Sequence, residues 1–156
     1  MFSMPYLIDG HNLIPKIGLR LDDDDDEQQL IVLLQEFCRL RHKEVSVYFD
    51  NAPPGGMPVR KYGAVTAYFI RSGHTADQAI QNRLNRLGAA AKNWIVVSSD
   101  RAVQLSARAA RAPFIPSEAF AHDVKAAVDV GEPAKSQDVT LSKDEVDDWL
   151  RLFGKR

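Results

Sequence analysis

The sequence predicts an α/β domain of three layers, with helices on both faces of a mainly parallel central sheet. Short apolar runs alternate with longer segments of helical period, the order expected of βαβ units. The run Trp94-Ile95-Val96-Val97 has no polar alternate, as expected of a strand covered on both faces. The chain has 156 residues, 45% apolar and 26% charged, which suits one domain with a sizeable core.

Tyr6–Ile8 reads as a first buried strand, and Asp9 to Asp26 as a loop. Glu27 to His42 reads as a helix, since Leu30, Leu33, Leu34, Phe37, Cys38 and Arg41 follow its period. The aspartates before it suit a helix N-terminus. Val45, Val47 and Phe49 alternate with Ser46 and Tyr48 as a second strand. Asn51 to Tyr62 carries three prolines and two glycines and is expected as loop. Val65–Ile70 is the third strand. Thr75 to Leu87 is a helix, with Thr75 as its cap and Gly88 as its stop. After the strand Trp94–Val97, Arg101 to Ala112 is an alanine-rich helix. Phe114-Ile115 forms a last short strand, and Ser117 starts a helix to Val128. The division expected is a domain over 1–128, a linker over 129–139 and an amphipathic helix over 140–156. That last helix opens on the capping box Ser142/Glu145 and packs on the domain or a partner.

No apolar run approaches the ~18 residues of a membrane span, and no secretory signal is visible. A single cysteine, Cys38, excludes an internal disulfide; it is read as a core thiol, and a cytoplasmic setting is expected. Net charge is -1, but Asp22–Glu27 supplies six of the 21 acids. The rest of the chain carries 20 bases against 15 acids, a balance open to an anionic partner. The acidic run itself reads as a solvated loop and helix start that could also repel RNA from one side.

Asp9, Asp50 and Asp100 each follow directly on an expected strand. In a parallel sheet the strand ends share one edge, where ligands bind. Asp77, in the first turn of its helix, shares a face with Ile80, Leu84 and Leu87 and should point at the same edge. Aspartate is also an ordinary turn and helix-start residue; only the coincidence of four suggests a site. Four such charges repel and raise one another's pKa unless a cation binds. Oxygen donors of this density suit Mg²⁺ or Mn²⁺, which can activate water and stabilise phosphoryl charge. Asn12 and Ser99 could support the same network. His11 stands two residues after Asp9, where an aspartyl phosphotransferase would want a second acid, and no glycine-rich dinucleotide fingerprint follows the first strand.

Leu7-Ile8-Asp9-Gly10-His11-Asn12-Leu13-Ile14 resembles the opening motif of the NYN domain family, in its YacP-like branch, within the PIN-like nuclease fold. Ser72-Gly73-His74-Thr75-Ala76-Asp77 resembles its second motif and Val96-Val97-Ser98-Ser99-Asp100-Arg101 its third, in the family's order and approximate spacing. Ser117-Glu118-Ala119-Phe120 looks like its stretch after the last strand. The resemblance implies a Rossmann-like PIN domain and an endoribonuclease that hydrolyses phosphodiesters with one or two Mg²⁺ or Mn²⁺ ions. Asp9, Asp50, Asp77 and Asp100 match the acidic positions; Asn12 and Ser99 match the accompanying polar ones. His74 and Gln78 stand where many relatives carry acids, so this site has fewer carboxylates, and His74 could instead contact phosphate. The alternative is a PIN-like module that binds RNA or a ribosome without cutting.

RNA, single-stranded or messenger, is the expected partner; the ribosome and a second copy of the chain are possible ones. Cations for its phosphates would be His11, Lys16, Arg20, Arg60, Lys61, Arg71 and Arg101, with Tyr62 stacking on a base. Arg101 is the most pointed of these, because a cation at a helix start has no dipole reason to be there.

Overall fold

In a computed structural model, residues 4–19, 25–52 and 55–130 are described. Six strands form one sheet in the order β3-β4-β2-β1-β5-β6. They are β1 (Tyr6–Asp9), β2 (Val45–Ala52), β3 (Val59–Tyr62), β4 (Val65–Arg71), β5 (Ile95–Val97) and β6 (Phe114–Ile115). All pairs are parallel except β3 with β4. The helices are α1 (Gly10–Leu13), α2 (Asp26–Arg41), α3 (Ala76–Leu87), α4 (Arg101–Ala109) and α5 (Ser117–Val130).

Strand alternation sorts the core into two halves. Tyr6, Ile8, Val45, Val47 and Phe49 face one side, where Leu30, Leu34, Phe37, Phe120 and Val124 from α2 and α5 meet them. Leu7, Tyr48 and Val96 face the other, against Ile80 and Leu84 of α3 and Val103 and Ala107 of α4. Three layers result, as expected from the alternating pattern. Cys38 is buried in the first half, where burial pushes its thiol up to about 12. No helix among the described residues is long and apolar enough to cross a membrane.

Three expectations change. Val59–Tyr62, read as loop, is an antiparallel edge strand; its exposed Arg60 and Lys61, with proline just before it, are what an edge needs to resist further pairing. The start of the supposed loop after β1 is α1 followed by a 3₁₀ turn over Ile14–Ile17, with Pro15 in its first positions. That segment buries Leu13, Ile14 and Ile17, so it is core and not solvent-facing loop. Helix α5 runs to Val130, two residues into the expected linker. The rest of that linker, the Ser142 helix, Arg20 and Asp22–Asp24 lie outside the described residues. Thr75 caps α3 by accepting from the Gln78 N–H at 3.1 Å, and Gly88 ends that helix, both as expected.

Gly10 shows why a glycine follows Asp9. A Cβ built there would lie 2.4 Å from Phe49 Cε1 and 2.9 Å from the Tyr48 carbonyl oxygen. The chain turns from β1 into α1 directly against β2, and neither the strand carbonyl nor the core ring has room to retreat. Gly10→Ala should therefore cost about 2–3 kcal/mol through overpacking, read as a lower urea midpoint at unchanged slope; an unaltered midpoint would show that β2 yields freely.

Candidate nuclease site

The carboxyl edge of the parallel strands gathers the expected aspartates. Asp9 ends β1, and Asp100 follows β5 and caps α4, its Oδ1 accepting from the Ala102 N–H at 2.8 Å. Asp50 lies in β2 where the register with β4 shifts between Phe49 and Ala52. Asn51 there is left-handed, at φ 60°, a conformation asparagine tolerates better than most residues. Such an irregularity re-aims a side chain. Asp50 Oδ1 meets His11 Nδ1 at 2.9 Å, and its Oδ2 accepts from the Ala76 N–H of α3 at 3.3 Å. Asp77 sits in the first turn of α3 beside the buried stripe Ala76, Ile80 and Leu84. It is half-buried at the edge of that stripe rather than in it, with Leu87 packed at the margin.

The four charges feel one another. Burial, and then repulsion from Asp50 and Asp100, push the Asp9 carboxyl up to about 6, although a hydrogen bond from Ser98 opposes this. Burial and Asp100 raise Asp77 as well. The donors are hard oxygens with a surplus of negative charge in partly desolvated surroundings, a chemistry that fits Mg²⁺ or Mn²⁺. They do not form a closed cage: among the described residues, no three His, Cys, Asp or Glu side chains are grouped so as to hold one ion.

His11, read as a phosphate contact, lies between two carboxylates. Its Nε2 is 2.7 Å from Glu27 Oε2 at the start of α2, and its Nδ1 faces Asp50. Glu27 and Asp50 together raise its pKa to about 9, so the ring is an imidazolium at neutral pH. A positive charge felt by Asp9 is thus supplied from within the protein.

Asn12 and Ser99 also have internal partners. Asn12 Oδ1 accepts from the Ser99 N–H at 2.8 Å and from the Ser117 hydroxyl at 2.7 Å. Ser99 Oγ donates to Glu118 at 2.5 Å and accepts from the Ser117 N–H at 2.9 Å. Lys16, another expected RNA contact, pairs with Glu118 at 3.2 Å. Ser99 first, and Lys16 with it, hold the Glu118 carboxyl down at about 2. This network latches the ends of β1 and β5 to the start of α5. Arg71, at the end of β4, His74 and Arg101 are exposed on the side of the strand ends. Lys61 and Tyr62 instead pair with Thr66 and Val65 at the start of β4, the end of the sheet opposite the aspartates. The antiparallel run of β3 thus carries these two expected RNA contacts away from the site; Arg60 lies over the Tyr62 ring at 5.8 Å.

Two residues carry more than the sequence reading gave them. Ser98 is fully buried; its Oγ donates to Asp9 Oδ2 at 3.2 Å and accepts from the Asp100 N–H at 3.0 Å, coupling the two aspartates. Gln104 fixes that turn by donating to the Ser98 carbonyl at 2.8 Å. Glu27, counted in the acidic run, is the second partner of His11. A hydroxyl residue directly after β5 and two before Asp100 is the available signal for Ser98; nothing local marks Glu27.

The chain matches the YacP-like NYN domain family over residues 6–151. It is similar to the crystal structure of Rae1 (YacP) from Bacillus subtilis in its W164L variant, at 20% identity and a TM-score of 0.67, covering 98% of this chain and 94% of that one. A further crystal structure of Rae1 (YacP) from Bacillus subtilis aligns at 20% identity and a TM-score of 0.64, covering 95% and 93%. No curated protein matches the chain. With the fold, the order of the motifs and the gathered aspartates, this match makes the chain a member of the YacP-like NYN domain family, a branch of the PIN-like nucleases.

Proposed function

We propose that the protein is a metal-dependent endoribonuclease that hydrolyses RNA phosphodiester bonds. The observation that carries this reading is the burial of Asp9 at the carboxyl edge of the sheet in the field of Asp50 and Asp100, which together push its carboxyl up to about 6. A buried carboxylate at odds with its neighbours is a poor structural choice and a good cation seat.

Asp9, Asp50, Asp77 and Asp100 would hold the ion or ions. A divalent ion bound there supplies a Lewis acid for the phosphoryl oxygen and lowers the pKa of water. The protein's own groups do the positioning. Ser98 ties the Asp9 carboxylate to the Asp100 backbone. His11 and the α3 N-terminus hold one Asp50 oxygen each. The Asn12 latch keeps β1 and β5 in register with α5. Arg101, beside Asp100, and Arg71, the last residue of β4, would take flanking phosphates.

One observation favours a second reading, an RNA-binding PIN-like module that does not cut: the described residues contain no ready-made group of three metal-binding side chains. A time course on end-labelled single-stranded and structured RNA, with Mg²⁺ or Mn²⁺, separates the two. Cutting that needs metal and is lost in both Asp9→Asn and Asp100→Asn is the expected result. RNA left intact by wild type with either metal, but still bound, would establish the binding module.

A further inference from the structure

Between the end of β4 and the first two turns of α3 lies an open cavity of about 310 Å³. This is at the low end of small-molecule sites, ~300–1,000 Å³, and of a size for one base rather than several. Phe69 and Ile70 give it an apolar wall, Gln78 and Asn82 line the helix side, and Arg71 and His74 stand at the turn. The four polar residues are all exposed. This sets them apart from the Asn12 latch, where the polar groups are bonded within the protein.

Gln78 and Asn82 are one helical turn apart and therefore lie one above the other on α3. Thr75, also in its lining, adjoins Ala76, whose N–H bonds Asp50, so the cavity lies at the end of α3 that reaches the carboxylates. Arg71 and Phe69 line a second cavity too, of about 230 Å³, with Glu27, Met57 and Arg60. Arg71 thus stands where a strand leaving the first cavity would pass, a place for a phosphate contact rather than for reading a base.

We propose that this cavity receives one unpaired nucleobase of the RNA next to the bond to be cut, and that Gln78 and Asn82 select adenine there. The inference rests on the nuclease reading for its substrate class. A side-chain amide offers a donor beside an acceptor, and on the Hoogsteen edge only adenine, with N6 and N7, matches it. Guanine presents two acceptors there, cytosine a lone donor and uracil a lone acceptor, so the reading commits to that edge. Unstacked bases in single-stranded RNA are read on such edges while an apolar surface covers the ring face. The glutamine matters in this chain because an acid at position 78 would repel phosphate and offer only acceptors.

The test is equilibrium binding, read by fluorescence anisotropy in the presence of chelator so that nothing is cut. The probes are labelled octauridylates with A, G, C or U at one central position. The adenine oligomer should bind about tenfold more tightly than the others, the discrimination of one good bidentate contact. Gln78→Ala/Asn82→Ala should erase that gap. Equal affinities, preference for another base, a gap that survives the double substitution, or no binding of any oligomer would overturn the proposal. Because no cleavage is read, a protein that never cuts RNA can still pass, and one that cuts without base preference fails here alone.

Discussion

Asp9→Asn should melt at a higher temperature than the wild type at neutral pH while losing metal-dependent cutting. The folded-state pKa of Asp9 is about 6, against 3.8 for the free group. Between those values the folded protein binds more protons than the unfolded chain, so stability falls as pH rises through the window. Above it the ionised carboxylate sits at a cost of about 3 kcal/mol. Asparagine keeps the shape and an acceptor for Ser98 but carries no charge. Allowing for imperfect replacement, a gain of about 2 kcal/mol, or roughly 4–8 °C, is expected in chelator. Below about pH 3 the aspartate is protonated in both states and the gain should vanish. Added Mn²⁺ should raise the melting temperature of wild type, because it binds only the folded site, and should raise that of the variant much less. Parallel melting curves for the two proteins from pH 4 to 8, unmoved by Mn²⁺, would remove the case for electrostatic conflict at this edge.

That conflict was partly legible in the sequence because of what a parallel sheet does. Once Tyr6–Ile8, Val45–Phe49 and Trp94–Val97 are read as strands, their sense follows from the intervening helices, and the residues after them must share an edge. No side-chain detail is needed to bring Asp9, Asp50 and Asp100 together. Partners that depend on tertiary packing are another matter. His11 finds Glu27, 16 residues on, and Asp50, 39 residues on; neither spacing carries a local signal. Asn12 likewise reaches Ser117 across 105 residues. Their place after Asp9 in a motif points both toward the ligand, yet they turn inward and hold the frame. The edge strand β3 escaped notice for a different reason. Its exposed, charged Val59–Tyr62 segment lies beside Pro58 and Gly56, and edges are built from residues that individually argue against a strand. The opening Asp9-Gly10-His11-Asn12 therefore has four separate explanations: a conflicted carboxylate, a contact too close for Cβ, a charge clamp and a latch.

The charge clamp gives the fold a pH dependence of its own. Its partners raise His11 from 6.5 to about 9. The folded state then holds a proton that the unfolded chain releases near 6.5. This contribution is fully present below pH 6.5 and is lost as pH climbs through 9. The full shift would amount to about 3 kcal/mol. The His11, Glu27 and Asp50 side chains are 26%, 33% and 28% exposed, so solvent screening brings the expected figure nearer ~2 kcal/mol. His11→Gln can still hydrogen-bond but leaves Glu27 and Asp50 facing each other with no cation between them. The variant should lose about 2 kcal/mol at pH 6 and much less at pH 9.5, where the wild-type ring is itself mostly neutral. Urea midpoints across this range give the comparison directly. Since the Asp9 term acts at lower pH, any wild-type slope between 6.5 and 9 that disappears in His11→Gln belongs to the clamp. A flat wild-type profile, or the same slope in both proteins, would mean that His11 carries no extra proton in the folded state. Freed of that proton, a neutral ring at position 11 would no longer offset the charge on Asp50.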